Sequence, residues 1–259
     1  EAFESGSLES VPGMLPLDKM AISIADFVSR MPLPYKVLFA LPEAFQKGLP
    51  ASAVVPINSE MRFRRIAEEV SDYPASTGNE LTDAYVFSGE KSQNRTPPVG
   101  IFLEVDEGGF FSRETQTVPR LRALERLHTI AGLAMALDLV VRSKAPFIQG
   151  QNGYRVYLQQ PDETLHLVDY AKLSPASAEL LSDLKEPQNY FNFDPESNAK
   201  RRMEFYLPHV AAVMGHLNGR RIENAAKWYF DAHASSDPLL SFIQMMVVLE
   251  FLYGDKELS

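Results

Sequence analysis

Residues 239–253, read as "LLSFIQMMVVLEFLY", set the tightest limit on what this chain can fold into. The apolar positions are Leu239, Leu240, Phe242, Ile243, Met245, Met246, Val247, Val248, Leu249, Phe251 and Leu252. Stepped at 100° per residue, they occupy nearly the whole circumference of a helix, whereas a surface helix shows one apolar stripe. Such a helix needs neighbours on every side. At roughly 1.5–3 kcal/mol per fully buried large side chain, leaving three or four bare forfeits on the order of 6 kcal/mol, which rivals the net stability of a domain. The helix before it, 220–234, offers cover on one side through Ile222, Ala225, Ala226, Trp228, Tyr229 and Ala232. The remaining cover must come from the rest of the chain, as for a central core helix, from a second subunit, or from helices beyond these 259 residues. The run is too short to span a bilayer, and Ser241, Gln244 and Glu250 interrupt it.

The chain ahead of this segment has another texture. Residues 1–16 are polar, carry Pro12 and Pro16, and are expected to form a linker or disordered tail. Over 17–31 the residues Met20, Ile24, Phe27, Val28 and Met31 fall at helical spacing, closed by Pro32. Strands are expected over 35–41, 53–57, 61–66, 84–88 and 99–105, with a loop over 71–79. The "DEGG" of 106–109 has hairpin-turn chemistry. Thr117-Val118-Pro119 opens a long helix expected to run to about 142. "GYRVYLQQPDETLHLVDYA" reads as a hairpin around a Pro-Asp-Glu turn, and a short helix follows over 176–184.

From 196 onward only helices are expected: 197–215, bent or interrupted at Pro208, then 220–234, then a third that Ser236-Asp237-Pro238 opens. The expected fold class is therefore α+β. A mixed strand and helix domain spans 17–195, followed by an all-helical segment over 196–259.

The net charge of −9 disfavours loose attachment to nucleic acid or anionic membrane, and no DNA or membrane partner is expected. From Ser197 to the end, seven bases meet seven acids, so the acidic excess lies in the first part and a local RNA contact at the helical end stays open. Cysteine is absent, which excludes disulfides, thiolate chemistry and sulfur-bound zinc, and fits a cytoplasmic protein.

The stretch "NAAKWYFDAHASSDPLLSFIQMMVVLEFLYG" resembles the first helix pair of the Apea-like branch of the HEPN superfamily. The shared features are Ala225, Trp228 and Tyr229 closing one helix, a turn at 235–237, then Leu239, Phe242, Ile243, Leu249, Glu250 and Leu252. The resemblance implies the start of a HEPN-like bundle in a bacterial defence or toxin protein. Such a protein would bind or cleave RNA as a homodimer without metal or cofactor. The N-terminal domain would then serve as a sensor for a protein or small-ligand trigger. The family's ribonucleases carry Arg-x(4–6)-His on a later helix. The Arg holds the scissile phosphate and the His moves a proton at neutral pH. That helix lies outside these residues, so the catalytic residues are unknown and this stretch alone is expected to be inactive.

Two pairs fit the bare spacing, Arg122 with His128 and Arg202 with His209. Neither Arg is followed by a polar residue, since Ala123 and Met203 come next, and both are read as solvated helix faces. His209 and His216 stand two helical turns apart without a carboxylate to complete a metal site. Arg201-Arg202 and Arg220-Arg221 read as helix ends with a secondary claim on phosphate. Glu104, Asp106 and Glu107 read as turn carboxylates, His166 as a hairpin side chain, and Trp228 as packing between the last two helices. No Gly-rich phosphate loop and no G-x-S-x-G occurs. Two other classes remain open: a non-enzymatic interaction or oligomerisation protein, and a small-molecule enzyme whose site lies in the α+β part.

Overall fold

A computed structural model describes residues 17–42, 44–45, 49, 54–67, 72–75, 98–111, 117–143, 153–187, 195–214, 216 and 219–254. The protein is α+β. Helix α1 (Leu17–Ser29) leads into β1 (Leu33–Ala40), followed by β2 (Val54–Pro56), β3 (Met61–Ile66) and β4 (Gly100–Gly109). Next come α2 (Val118–Ala136), β5 (Val141–Arg142), β6 (Gly153–Gln159) and β7 (Leu165–Lys172). The chain then runs through α3 (Pro175–Asp183), β8 (Leu184–Lys185), α4 (Pro195–Met214), α5 (Gly219–Ala234) and α6 (Pro238–Tyr253).

Six strands form one antiparallel sheet in the order β2-β3-β4-β1-β6-β7, and β5 pairs with β8 separately. The period-2 alternation of side chains gives this sheet two unlike faces. On one face Val37, Val105 and Val156 stand side by side, with Phe39 next to Leu103 and Tyr154. This face packs on α2 through Ala123, Leu127, Ile130 and Ala134, which recur at helical spacing. The opposite face carries Lys36, Arg62, Arg64, Glu104 and Asp106 around a smaller apolar cluster of Leu38, Ile66, Tyr73, Phe102, Tyr157 and Leu167.

Beyond α2 the helices stack in series. Helix α5 lies on α2, and α6 lies on α5. The first crossing is close: a Cβ on Gly132 would fall 1.9 Å from the carbonyl oxygen of Ala226. Only a residue without a side chain lets the two backbones meet there. Met203 and Val210 of α4 and Ala226 and Phe230 of α5 belong to the same buried cluster as the sheet's α2-facing residues. One core thus runs across position 195.

Several local expectations hold. The β6–β7 hairpin turns at Gln160–Thr164, where Asp162 Oδ1 accepts from the Thr164 amide and hydroxyl. Asp237 caps α6, its Oδ1 accepting from Leu239 N at 2.9 Å and Leu240 N at 3.4 Å, with Pro238 in the first turn.

Others are corrected. The "DEGG" segment is no hairpin turn: Asp106–Gly109 continue β4 and pair with Leu33–Lys36 of β1. The long helix ends at Ala136 instead of near 142, because Asp138 takes a left-handed conformation with φ 57° and the chain turns into strand at Val141–Arg142. Pro208 does not interrupt α4, which runs through it with Pro208 exposed on the outer side. On α1, Met20, Ile24 and Val28 are exposed instead of packed. The expected tail over 1–16, the strand over 84–88 and most of the loop over 71–79 lie outside the described residues.

Candidate functional site

The polar face of the sheet holds an open cleft of about 750 Å³. Its floor forms because Arg62 sits opposite Glu104 on the neighbouring strand, and Lys36 opposite Asp106. Glu104 is only 1% exposed, yet both its oxygens are engaged. Oε1 accepts from Arg62 Nε at 2.8 Å and Lys36 Nζ at 3.2 Å. Oε2 accepts from the Tyr73 hydroxyl at 2.6 Å and lies 3.4 Å from Arg64 Nε. Asp106 accepts from Lys36 at 2.8 Å and is also bound by Arg62.

Burial, together with the neighbouring Glu104 carboxylate, pushes the Tyr73 hydroxyl well above the ordinary tyrosine range. Burial works against the Arg62 charge, but its bond to Asp106 and the field of Glu104 outweigh that and raise its pKa. The far wall comes from Gln159, Asp162, Glu163, Thr164 and Leu165 at the β6–β7 turn. The cleft thus has cations held rigidly at its floor and carboxylates at its rim, an arrangement suited to small polar contacts instead of an extended polyanion.

Glu104, Asp106 and Glu107 do not converge. Strand alternation sends Glu107 to the α2 side, where Arg126 Nη1 lies 3.2 Å from its Oε1. Burial there raises the Glu107 pKa, with Arg126 opposing the shift.

Several of the remaining sequence candidates find local partners. Arg122 is exposed on α2, while His128, six residues on, faces α3 and α5. Arg202 donates to the Asp138 carbonyl at 2.8 Å and to its carboxylate at 3.1 Å. His209 Nδ1 lies 2.8 Å from the Phe205 carbonyl oxygen, and His216 is in the turn after α4, so the two histidines share no helix face. Arg221 reaches across to the end of α6, where Nε donates to the Phe251 carbonyl at 3.1 Å and Nη2 to the Gly254 carbonyl at 2.7 Å. That places a cation at the negative end of the helix dipole, leaving phosphate no first claim on Arg221. Arg201 and Arg220 are exposed, as is His166. Trp228 is half-buried, and the fully buried aromatic of α5 is Phe230.

The second notable surface is α6 itself. Among its residues Val248 alone is fully buried. Leu239 is 66% exposed, Phe242 62% and Tyr253 80%, while Leu240, Ile243, Met246, Leu249 and Leu252 are each about half exposed. No described part of the α+β region covers this flank, so among the described residues α6 is not enclosed. No described helix is long and apolar enough to cross a membrane.

Fold and surfaces together define an α+β protein with a charged cleft on one side of its sheet and a helical hairpin stacked beyond the other. Comparisons with protein-family models, with curated proteins and with solved structures find no match.

Proposed function

We propose that this chain is the sensing and docking part of an RNA-directed defence or toxin protein of the Apea-like HEPN kind. In this reading α5 and α6 are the opening pair of a helical bundle, completed by further helices and by a second copy. The observation that carries it is the bare flank of α6. Each half-exposed large side chain leaves on the order of 1 kcal/mol of burial unrealised, and eight of them equal the net stability of a small domain. Contiguous apolar patches of this kind mark interaction surfaces. The sensor role falls to the cleft over Glu104, whose size and mixed charge suit a small polar ligand or a short peptide segment. A cytoplasmic location fits the absence of cysteine.

The test is RNA cleavage by the product of the whole gene, compared with a His→Ala variant in any downstream Arg-x(4–6)-His motif. Cleavage that the variant abolishes supports this reading, and a whole product without such a motif or cleavage rejects it. The same bare flank favours a second reading, a non-enzymatic oligomerisation protein. That reading leads if the chain self-associates through α6 and the whole product leaves RNA intact.

A further inference from the structure

Where α2, α3 and α5 meet, three side chains from distant parts of the sequence converge. His128 Nδ1 lies 2.9 Å from Asp231 Oδ1, and His128 Nε2 lies 3.1 Å from Ser177 Oγ. The imidazole is held flat against Phe230, with ring centroids 4.4 Å apart at 30°. His128 and Asp231 retain 17% and 25% side-chain exposure, so the pair is reached by water.

The hydrogen inventory gives this chain of groups a direction. Nδ1 lies within ion-pair distance of Asp231, and the neutral tautomer with its hydrogen on Nδ1 would face the carboxylate and leave Nε2 as the acceptor. On the other side, the Ser174 hydroxyl donates to Ser177 Oγ at 2.9 Å, while Ser174 Oγ accepts from the Ser177 amide at 3.2 Å. With that tautomer, and with Ser174 as the donor to Ser177, the Ser177 hydroxyl hydrogen is the one available to Nε2. A serine bonded to a base that a carboxylate orients is the arrangement of nucleophilic acyl transfer. Ser177 also sits in the first turn of α3, where the positive end of the helix dipole favours negative charge developing beside its Oγ.

We propose that Ser177, His128 and Asp231 form an acyl-transfer site for small activated esters, independent of the RNA-linked reading above. Ser177 Oγ bonds to the ester carbonyl carbon as its proton passes to His128 Nε2. The bond from carbon to the alcohol oxygen then breaks, and that oxygen takes the proton from Nε2. Water next attacks acyl-Ser177, giving one proton to Nε2. The Oγ–acyl bond breaks, the acid departs, and Nε2 returns the proton to Oγ. The sum is ester plus water to acid plus alcohol. Ser177 and His128 are the catalytic residues, and Asp231 is a positioning residue. Ser177 is 5% exposed, so the proposal is confined to small acyl groups.

The test treats the chain with p-nitrophenyl acetate and maps the modified residue by peptide mass spectrometry. One label on Ser177 is expected, lost in Ser177→Ala and retained in Ser182→Ala. His128→Gln should slow labelling about 10²–10⁴-fold, the usual contribution of a positioned base. Asp231→Asn should slow it and displace its pH profile. If Ser177→Ala does not fold, mapping on the wild-type chain still decides. A folded wild-type chain with no label on Ser177, a label spread over surface serines, or equal labelling of His128→Gln overturns the proposal.

Discussion

Glu104 meets two arginines, a lysine and a tyrosine while nearly excluded from water. Removing one member of a buried charged set leaves the others desolvated and unpaired, at a cost of about 3–5 kcal/mol. Glu104→Ala should therefore lower the unfolding free energy by about that much in urea titrations, and a loss under 1 kcal/mol would mean that the set is open to water. Glu107 behaves oppositely. Burial raises its pKa in the folded state despite Arg126, so its protonated form favours folding below the ordinary carboxylate value, and that contribution is lost as pH rises through the raised value. Glu107→Gln should accordingly gain stability over wild type as pH goes from 4 toward 7 (melts at fixed ionic strength), with the gap closing at the acid end. Both roles were half-legible beforehand. Arg62 and Arg64 alternate on one strand, and Glu104 and Asp106 on another, the pattern of a cross-strand ionic set. The two glycines after Glu107 read instead as a turn, since period-2 charge and hairpin chemistry look alike until strand pairing is known.

Helix ends were the best-read elements where a side chain does the capping. Asp237 followed by Pro238 announced the start of α6, and the structure makes that bond. Asp237→Ala should cost about 0.5–2 kcal/mol, read as a lower melting temperature. The other end was not legible, because Arg221 acts from a helix more than two turns away in sequence. Arg221→Ala should release the Phe251 and Gly254 carbonyls and speed amide hydrogen exchange over the last turn of α6, leaving its first turn unchanged. The end of α2 was missed for a related reason. Asp138 adopts the positive φ usually given to glycine, and its carbonyl and carboxylate are held by Arg202 from α4, a contact that no local pattern encodes.

Seen as a whole, the protein has one core facing α2 and two surfaces left over. The fold class and the apolar character of α6 were readable from periodicity and composition. Its position at the outside of the stack was not, because periodicity tells how much cover a helix needs and nothing about who supplies it. If a second copy supplies it, the wild-type chain should sediment as a concentration-dependent dimer. Phe242→Glu with Leu249→Glu, both at exposed positions, should then give a folded monomer. A wild-type chain that remains monomeric at high concentration would assign that flank to other helices.

In the serial stacking of sheet, α2, α5 and α6, the sheet, α2 and α5 stand between the cleft and α6. Under the proposed function, one occupant would sit in the cleft and the other on α6, with the protein as the link between them. The tight backbone crossing at Gly132 is one of the contacts that join the sheet side to α5, alongside those of α3 and α4 with α5.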